Sequence, residues 1–144
     1  MRIAFDLDGT LANIEHRLHF IKGEGKKDWT AFFKACTNDA PIYPIVKLCQ
    51  QMFLGGCHIE IWSGRSDLVR SETEQWLFYN GVTYETLRMR KEGDHRPDDV
   101  VKQEWLDAIP IAARPAVAFD DRKRVVDMWR RNGIICCQVA EGDF

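Results

Sequence analysis

Two aspartates one residue apart, Asp6 and Asp8, stand where the apolar run Arg2-Ile-Ala-Phe5 meets Gly9-Thr10. Alternate residues of an extended segment point to the same side, so the two carboxylates share a face. Like charges that close raise each other's pKa unless a cation or proton intervenes. Phosphoryl chemistry uses such crowding. One carboxylate can attack phosphorus and form an acyl phosphate. Its neighbour can protonate the leaving oxygen and then activate the water that hydrolyses the intermediate. The incoming phosphate is anionic, so both steps need a divalent cation. Mg²⁺ takes few carboxylates and keeps several waters; Asp6 with a carboxylate from the pair Asp120-Asp121 would be the protein's share.

Further polar residues interrupt the chain at comparable places. The Thr10 hydroxyl can orient a carboxylate, and Gly9 permits a tight turn. Ser63, after the run His58-Ile-Glu-Ile-Trp62, offers a hydroxyl and a loop N–H to a phosphate oxygen. Gly64 allows close backbone approach, and Arg65 beside it suits bidentate phosphate contact. Lys102 supplies a point positive charge for phosphate and nucleophile together. Asp98 and Asp99 read equally as acids at a helix N-terminus, favoured by the macrodipole. His16, His19 and His58 lack metal-ligand spacing. Arg88, Arg90, Lys91 and Arg96 alternate with Glu92 and Asp94, which fits a solvated loop or contacts to a nucleic-acid backbone. Arg122, Lys123, Arg124, Arg130 and Arg131 read as a solvated helix face.

The elements that must position these residues alternate. Strands are predicted at 2–5, 58–62, 85–89, 116–119 and 134–140. A helix runs from Pro44 to the residues before Gly55, with proline near its start and glycine after its end. Another covers Asp67 to Asn80, with Ser66 or Asp67 as N-cap and Gly81 at its close. Two more are predicted over Asp98–Ala108 and Arg122–Asn132. Strands alternating with helices predict an α/β fold: a Rossmann-like three-layer α/β/α sandwich with a mostly parallel five-stranded sheet. Ligands bind such sheets at the carboxyl ends of strands, near a switch in strand order. Asp6/Asp8, Ser63-Gly64-Arg65 and Asp120-Asp121 all fall at such ends. The insertion from about 13 to 41 is expected to be a small cap. Its stripe of Trp29, Phe32, Phe33 and Cys36, after a possible Asp28 N-cap, reads as ordinary packing rather than a ligand platform.

The 144 residues suit a single domain with a real core, and a formal charge of −2 creates no strong field toward nucleic acid or acidic membranes. Five cysteines, an odd number without CxxC spacing, argue against a disulfide framework or zinc site and fit a reducing compartment. No signal-peptide pattern opens the chain and no apolar run nears the roughly 20 residues of a membrane span. The expectation is a cytoplasmic protein with no membrane association.

Asp6-Leu-Asp8-Gly-Thr10-Leu after a first strand, a strand-end Ser63, a later Lys102 and a strand-end Asp120-Asp121 together resemble the haloacid dehalogenase (HAD) superfamily of phosphohydrolases. The resemblance implies Asp6 as nucleophile, Asp8 as general acid/base and Thr10 as orienting hydroxyl. It also implies phosphate binding by Ser63 and Lys102, and Mg²⁺ held by Asp6, the Asp8 main-chain carbonyl and the Asp120/Asp121 pair, Asp121 the more direct. The dehalogenase branch lacks the second aspartate of the first motif, so Asp8 points to phosphoryl transfer. RPDDVVKQEW (96–105) and FDDRKRVVDMWRRNGIICCQVAEGDF (119–144) are similar to the 3′-phosphatase half of phage polynucleotide kinase/phosphatases, including the closing Gly-Asp-Phe. Arg17, Arg65 and Asp98 match functionally important positions there. The likeness is weakest in residues 18–41. No G-x-x-x-x-G-K-[ST] phosphate loop occurs, so no kinase domain is expected.

The resemblance implies a Mg²⁺-dependent phosphomonoesterase. Its substrate would be a 3′-phosphorylated end of DNA or RNA, or alternatively a free nucleotide or small metabolite. A catalytically idle HAD fold serving as a binding module is the remaining alternative, and the intact carboxylate set argues against it. No obligate protein partner is implied.

Overall fold

Alternation along Arg2–Phe5, the first strand, decides how the sheet is covered. A computed structural model describes residues 1–142 of the chain; the Asp143-Phe144 end of the Gly-Asp-Phe motif lies outside the described residues. Ile3 and Phe5 face one side of β1 (Arg2–Phe5) and pack with Val46 and Cys49 of α2 (Tyr43–Leu54) and with Trp76 and Leu77 of α3 (Arg70–Tyr79). Ala4 faces the other side and packs with Leu106 of α4 (Asp98–Asp107) and with Val125, Val126, Met128 and Trp129 of α5 (Lys123–Arg131). Two cores, one on each face, make the three layers.

The sheet also contains β4 (His58–Ser66), β5 (Thr86–Arg90), β6 (Val117–Arg122) and β7 (Ile135–Gly142), in the order β5-β4-β1-β6-β7. All four pairings are parallel. From central β1 the chain builds outward to β4 and β5 and then crosses to β6 and β7. The switch in strand order therefore lies at the carboxyl end of β1, where Asp6 follows Phe5. The Phe5 and Phe119 rings of β1 and β6 stack at 4.6 Å beneath that end.

Several elements extend past their predicted bounds. β4 continues through Ser63-Gly64-Arg65 to Ser66, with a shift of register against β5 between Ser63 and Ser66. β6 takes in Asp120, Asp121 and Arg122, and β7 runs to Gly142, with another shift between Asp120 and Arg122. The polar residues that read as loops are strand ends bent out of register. The helix predicted from Asp67 opens as a short 3-10 turn, Asp67–Val69, with the Ser66 side chain accepting from the Leu68 N–H.

The insertion is pinned at its base by a two-residue antiparallel pair, β2 (Ala12–Asn13) and β3 (Ala40–Pro41). Between them lie the 3-10 turn Glu15–Phe20 and the single-turn helix α1 (Trp29–Lys34), whose N-cap Asp28 accepts from the Ala31 N–H. Ile14, Ile21 and Phe32 give this segment a small core. None of the five cysteines is paired; Cys36, Cys49 and Cys136 are buried, whereas Cys137 faces outward. No helix of the described residues is long and apolar enough to cross a membrane.

Candidate active site

The Asp6 carboxylate reaches the sheet switch point with its backbone tied down, the Asp6 N–H donating to the Phe119 carbonyl at 2.9 Å. After it the chain turns sharply. The N–H groups of Leu11 and Ala12 both donate to the Leu7 carbonyl, and Gly9 takes a φ of 85°. Carboxylate oxygens of Asp6, Asp120 and Asp121 come within 4.8 Å of one another. Gly9 and Gly142 leave room for Asp121: a Cβ at either position would overlap its carboxylate.

Lys102, buried completely on α4, answers this crowding. Its Nζ donates to Asp6 Oδ1 at 2.7 Å and to Asp120 Oδ2 at 2.9 Å, and stands 3.4 Å from Asp98 Oδ2. Burial pushes the Asp6 carboxyl well up; Lys102 opposes this, while Asp120, Asp121 and Asp98 add to it. Burial and the Asp120 charge raise Asp121 to about 7. Asp120 is raised as well, by burial before any other cause. The Lys102 ammonium moves the opposite way to its burial, since Asp120, Asp6 and Asp98 hold its proton.

This donor set fits the implied Mg²⁺. The three side chains offer hard carboxylate oxygens, and burial first, with neighbouring carboxylates adding to it, raises all three carboxyl groups, a cost that a bound cation would offset. No other such cluster of potential ligands occurs among the described residues. The Asp8 main-chain carbonyl sits on the same turn, and nothing in the geometry separates Asp120 from Asp121 as the more direct ligand.

Asp8 has different neighbours. Its Oδ1 accepts from Arg65 Nε at 2.6 Å and from Arg17 Nη2 at 2.8 Å. Burial alone would raise this carboxyl, but the two guanidinium groups outweigh it and hold Asp8 below the usual carboxylate range. Both arginines are fully buried and both also bind Asp39, with Arg17 Nε and Nη2 at 2.7 Å and Arg65 Nη2 at 2.5 Å. His16 Nε2 meets the same carboxylate at 2.8 Å. The two predicted phosphate-binding arginines are therefore engaged in a clamp on Asp8 and Asp39.

The remaining predicted site residues fall near this centre in varied ways. Ser63 is fully buried, its Oγ accepting from the Arg65 N–H at 3.2 Å. Thr10 is buried too, but its Oγ1 has no hydrogen-bond partner, so the expected bond to a carboxylate is not formed. Gly64 abuts Asp98: a Cβ there would overlap the Asp98 carboxylate. Asp98 is held by Arg90 Nη2 at 3.2 Å and lies 3.9 Å from Arg122 Nη1. Burial would raise its carboxyl, but Lys102, Arg122 and Arg90 draw it down.

A cavity of about 630 Å³ opens above these groups. Asp6, Asp8, Gly64, Ser66, Asp98 and Arg122 line it, and residues of the insertion and of the loop after β5 complete it. Three readings of the sequence are corrected by this arrangement. Arg90 is no solvated loop residue, because its Nε donates to the Gly64 carbonyl at 2.9 Å while it also binds Asp98. Arg122 belongs to the cavity wall rather than to a solvated helix face. In the aromatic stripe, Phe32 and Cys36 are buried as expected, but Trp29, Phe33 and the edge of Phe32 line the cavity. Asp39 was missed altogether; a lone aspartate before Ala40-Pro41 carries no local signal of its two distant arginine partners.

A parallel sheet with paired aspartates at its switch point and a buried lysine beside them is the arrangement of a HAD-type hydrolase. A haloacid dehalogenase-like family hydrolase from Streptococcus pneumoniae superposes with a TM-score of 0.63 at 14% identity, covering 94% of this chain and 82% of that one, which shows the shared fold. The family model for the polynucleotide kinase PNKP phosphatase domain matches residues 1–144, and the chain belongs to that family of phosphatases. Similar solved chains come from the Pnkp1/Rnl/Hen1 complex, at 31% identity with a TM-score of 0.82, and from a structure of the Pnkp1/Rnl/Hen1 RNA repair complex, at 30% with 0.79. Each match covers 99% of this chain but only 46% and 43% of the other, so the chain spans less than half the length of those relatives.

Proposed function

We propose that the chain is a Mg²⁺-dependent phosphomonoesterase that removes the 3′-terminal phosphate from DNA or RNA through an aspartyl-phosphate intermediate. The observation that carries this reading is the opening of Asp6 and Asp8 onto one cavity, with Asp6 also in the carboxylate cluster of Asp120 and Asp121. Family membership supports the choice of a polynucleotide end.

In the first step an Asp6 carboxylate oxygen bonds to phosphorus, the ester P–O bond breaks, and Asp8 gives its proton to the departing 3′ oxygen. In the second, Asp8 takes a proton from water, whose oxygen attacks phosphorus and releases inorganic phosphate and free Asp6. Arg17 and Arg65 favour the ionised form of Asp8, which suits the second step; the proton for the first is taken up from solvent before attack. A divalent cation held by Asp6, Asp120 and Asp121 would supply positive charge against the transferring phosphoryl group. Lys102 holds Asp6 in place and neutralises charge beside it. Phosphate contacts are assigned to Ser63, Gly64 and Lys102, with Thr10 as the free hydroxyl at the turn.

Two measurements test the proposal. Asp6→Asn abolishes hydrolysis of an aryl phosphate in magnesium while leaving the thermal melt cooperative. In a substrate panel, 3′-phosphorylated oligonucleotides turn over with higher kcat/KM than nucleoside 3′- or 5′-monophosphates. Equal or better turnover of the mononucleotides points instead to a nucleotidase, and inactivity of the unmutated protein with every divalent metal points to an idle binding module.

A further inference from the structure

The cavity is much larger than a phosphate group requires. At about 630 Å³ it falls in the range of roughly 300–1,000 Å³ that encloses a whole organic ligand. Its catalytic floor is polar, whereas α1 of the insertion contributes an aromatic wall. Trp29, Thr30, Phe32 and Phe33 all line it.

The three rings of this wall have different roles. Phe32 is 2% exposed and fixed from behind: Arg17 Cζ lies 4.2 Å from its ring centroid, and Arg17 Nη1 donates to its carbonyl at 3.3 Å. Because Arg17 also grips Asp8, the wall is anchored directly to a carboxylate of the catalytic pair. Phe33 lies against Trp29 with ring centroids 6.0 Å apart and planes 31° from each other. Trp29 itself is 40% exposed, so its indole is braced by Phe32 and Phe33 without being enclosed. Lys27 Nζ lies 5.8 Å from the Trp29 ring centroid, and Lys91 and Arg124 line the same cavity, which brings cationic charge to it for a polyanionic ligand. A braced, half-exposed indole on a cavity that also carries cationic side chains is the combination that holds a nucleobase and its backbone together.

We infer that Trp29, backed by Phe33, is the stacking surface for the base of the nucleotide that carries the scissile phosphate. The inference rests on the reading above that the substrate is a nucleotide or a polynucleotide end. It makes Trp29 a specificity-determining residue, and it places that specificity in the segment least similar to the phage phosphatases.

The test compares two oligonucleotides with 3′-terminal phosphate, one ending in a normal nucleotide and one ending in an abasic sugar, using the full chain with magnesium. In Trp29→Ala the ratio of kcat/KM for the base-bearing end to that for the abasic end falls about tenfold, chiefly through KM. Trp29→Phe restores most of the ratio. Equal losses on the two ends in Trp29→Ala, or no loss on either, overturn the inference. The comparison also serves if the polymer-end reading fails. Where the unmutated protein prefers free nucleoside monophosphates, the same ratio is taken between a nucleoside 3′-monophosphate and the base-free sugar phosphate. Hydrolysis of simple aliphatic monoesters with no turnover of either nucleotide class overturns both readings together.

Discussion

Asp39 lies completely buried between the guanidinium groups of Arg17 and Arg65, which it shares with Asp8. Two buried cations facing two carboxylates form a neutral set, and each guanidinium finds acceptors for the donors it loses to burial. Removing one anion leaves a buried positive charge short of its partner, a change that costs about 3–5 kcal/mol where such pairs are broken. Asp39→Asn keeps the shape and deletes the charge, so its unfolding free energy should fall by about that amount in urea titration. It should also lower kcat, because Asp8 is held in position by the same two arginines. A full-strength enzyme with unchanged stability would mean that Asp39 is a bystander. The Trp76 indole N–H, donating to the Asp39 carbonyl at 2.7 Å, fixes the backbone at this position independently of the carboxylate. The loss can therefore be read as one of charge.

At the scale of elements, the bent end of β4 sets the start of α4. Gly64 lies in the stretch where β4 slips register against β5, and Asp98 of the first turn of α4 packs against it where a methyl group would stand. Gly64→Ala should push Asp98 away and carry Lys102, one helical turn later, off Asp6. Small displacements of that kind cost on the order of 100-fold in rate. Gly25→Ala, where an added methyl meets nothing within 4 Å, is the matched control. Equal kcat/KM in the two variants would refute the coupling of β4 to α4. The alternation of Ile3, Ala4 and Phe5, the proline and glycine punctuation of the helices and the strand-end aspartates made the sheet and the carboxylate cluster at its edge legible in the sequence. Long-range pairing had no such signature. Arg65 reads as a phosphate ligand from its place beside Gly64, yet its partners Asp8 and Asp39 are 57 and 26 residues away. Arg90 likewise joins Gly64 and Asp98 from 26 and 8 residues away. Local pattern reports which residues end a strand, but not which distant charges the turned chain brings together.

Across the whole molecule, the crowded carboxylates tie stability to pH and to metal. Asp121 titrates near 7 in the metal-free protein, against an ordinary value of 3.8, and Asp6 and Asp120 are shifted in the same direction. Between those limits the folded chain binds more protons than the unfolded chain, so stability must fall as pH rises. The stabilisation from these protons is fully present below the ordinary carboxylate value and is lost as pH rises through each raised value, about 7 for Asp121. Asp8 and Asp98 are shifted downward, so their stabilisation is present above the ordinary value and lost only in more acid solution. They leave the slope in the neutral range unopposed. A divalent cation held as proposed by Asp6, Asp120 and Asp121 would displace the same protons, and its affinity would therefore rise as they leave. Melting the metal-free protein from about pH 5 to about pH 8 should give a midpoint that declines toward the alkaline end. Adding millimolar magnesium should then raise the midpoint little at the acid end and most above about pH 7. Asp121→Asn should flatten both trends, because it removes the anion without emptying the space that Gly9 and Gly142 keep for it. A magnesium shift of the same size at both ends of the range would show that the protons and the metal do not compete for these carboxylates.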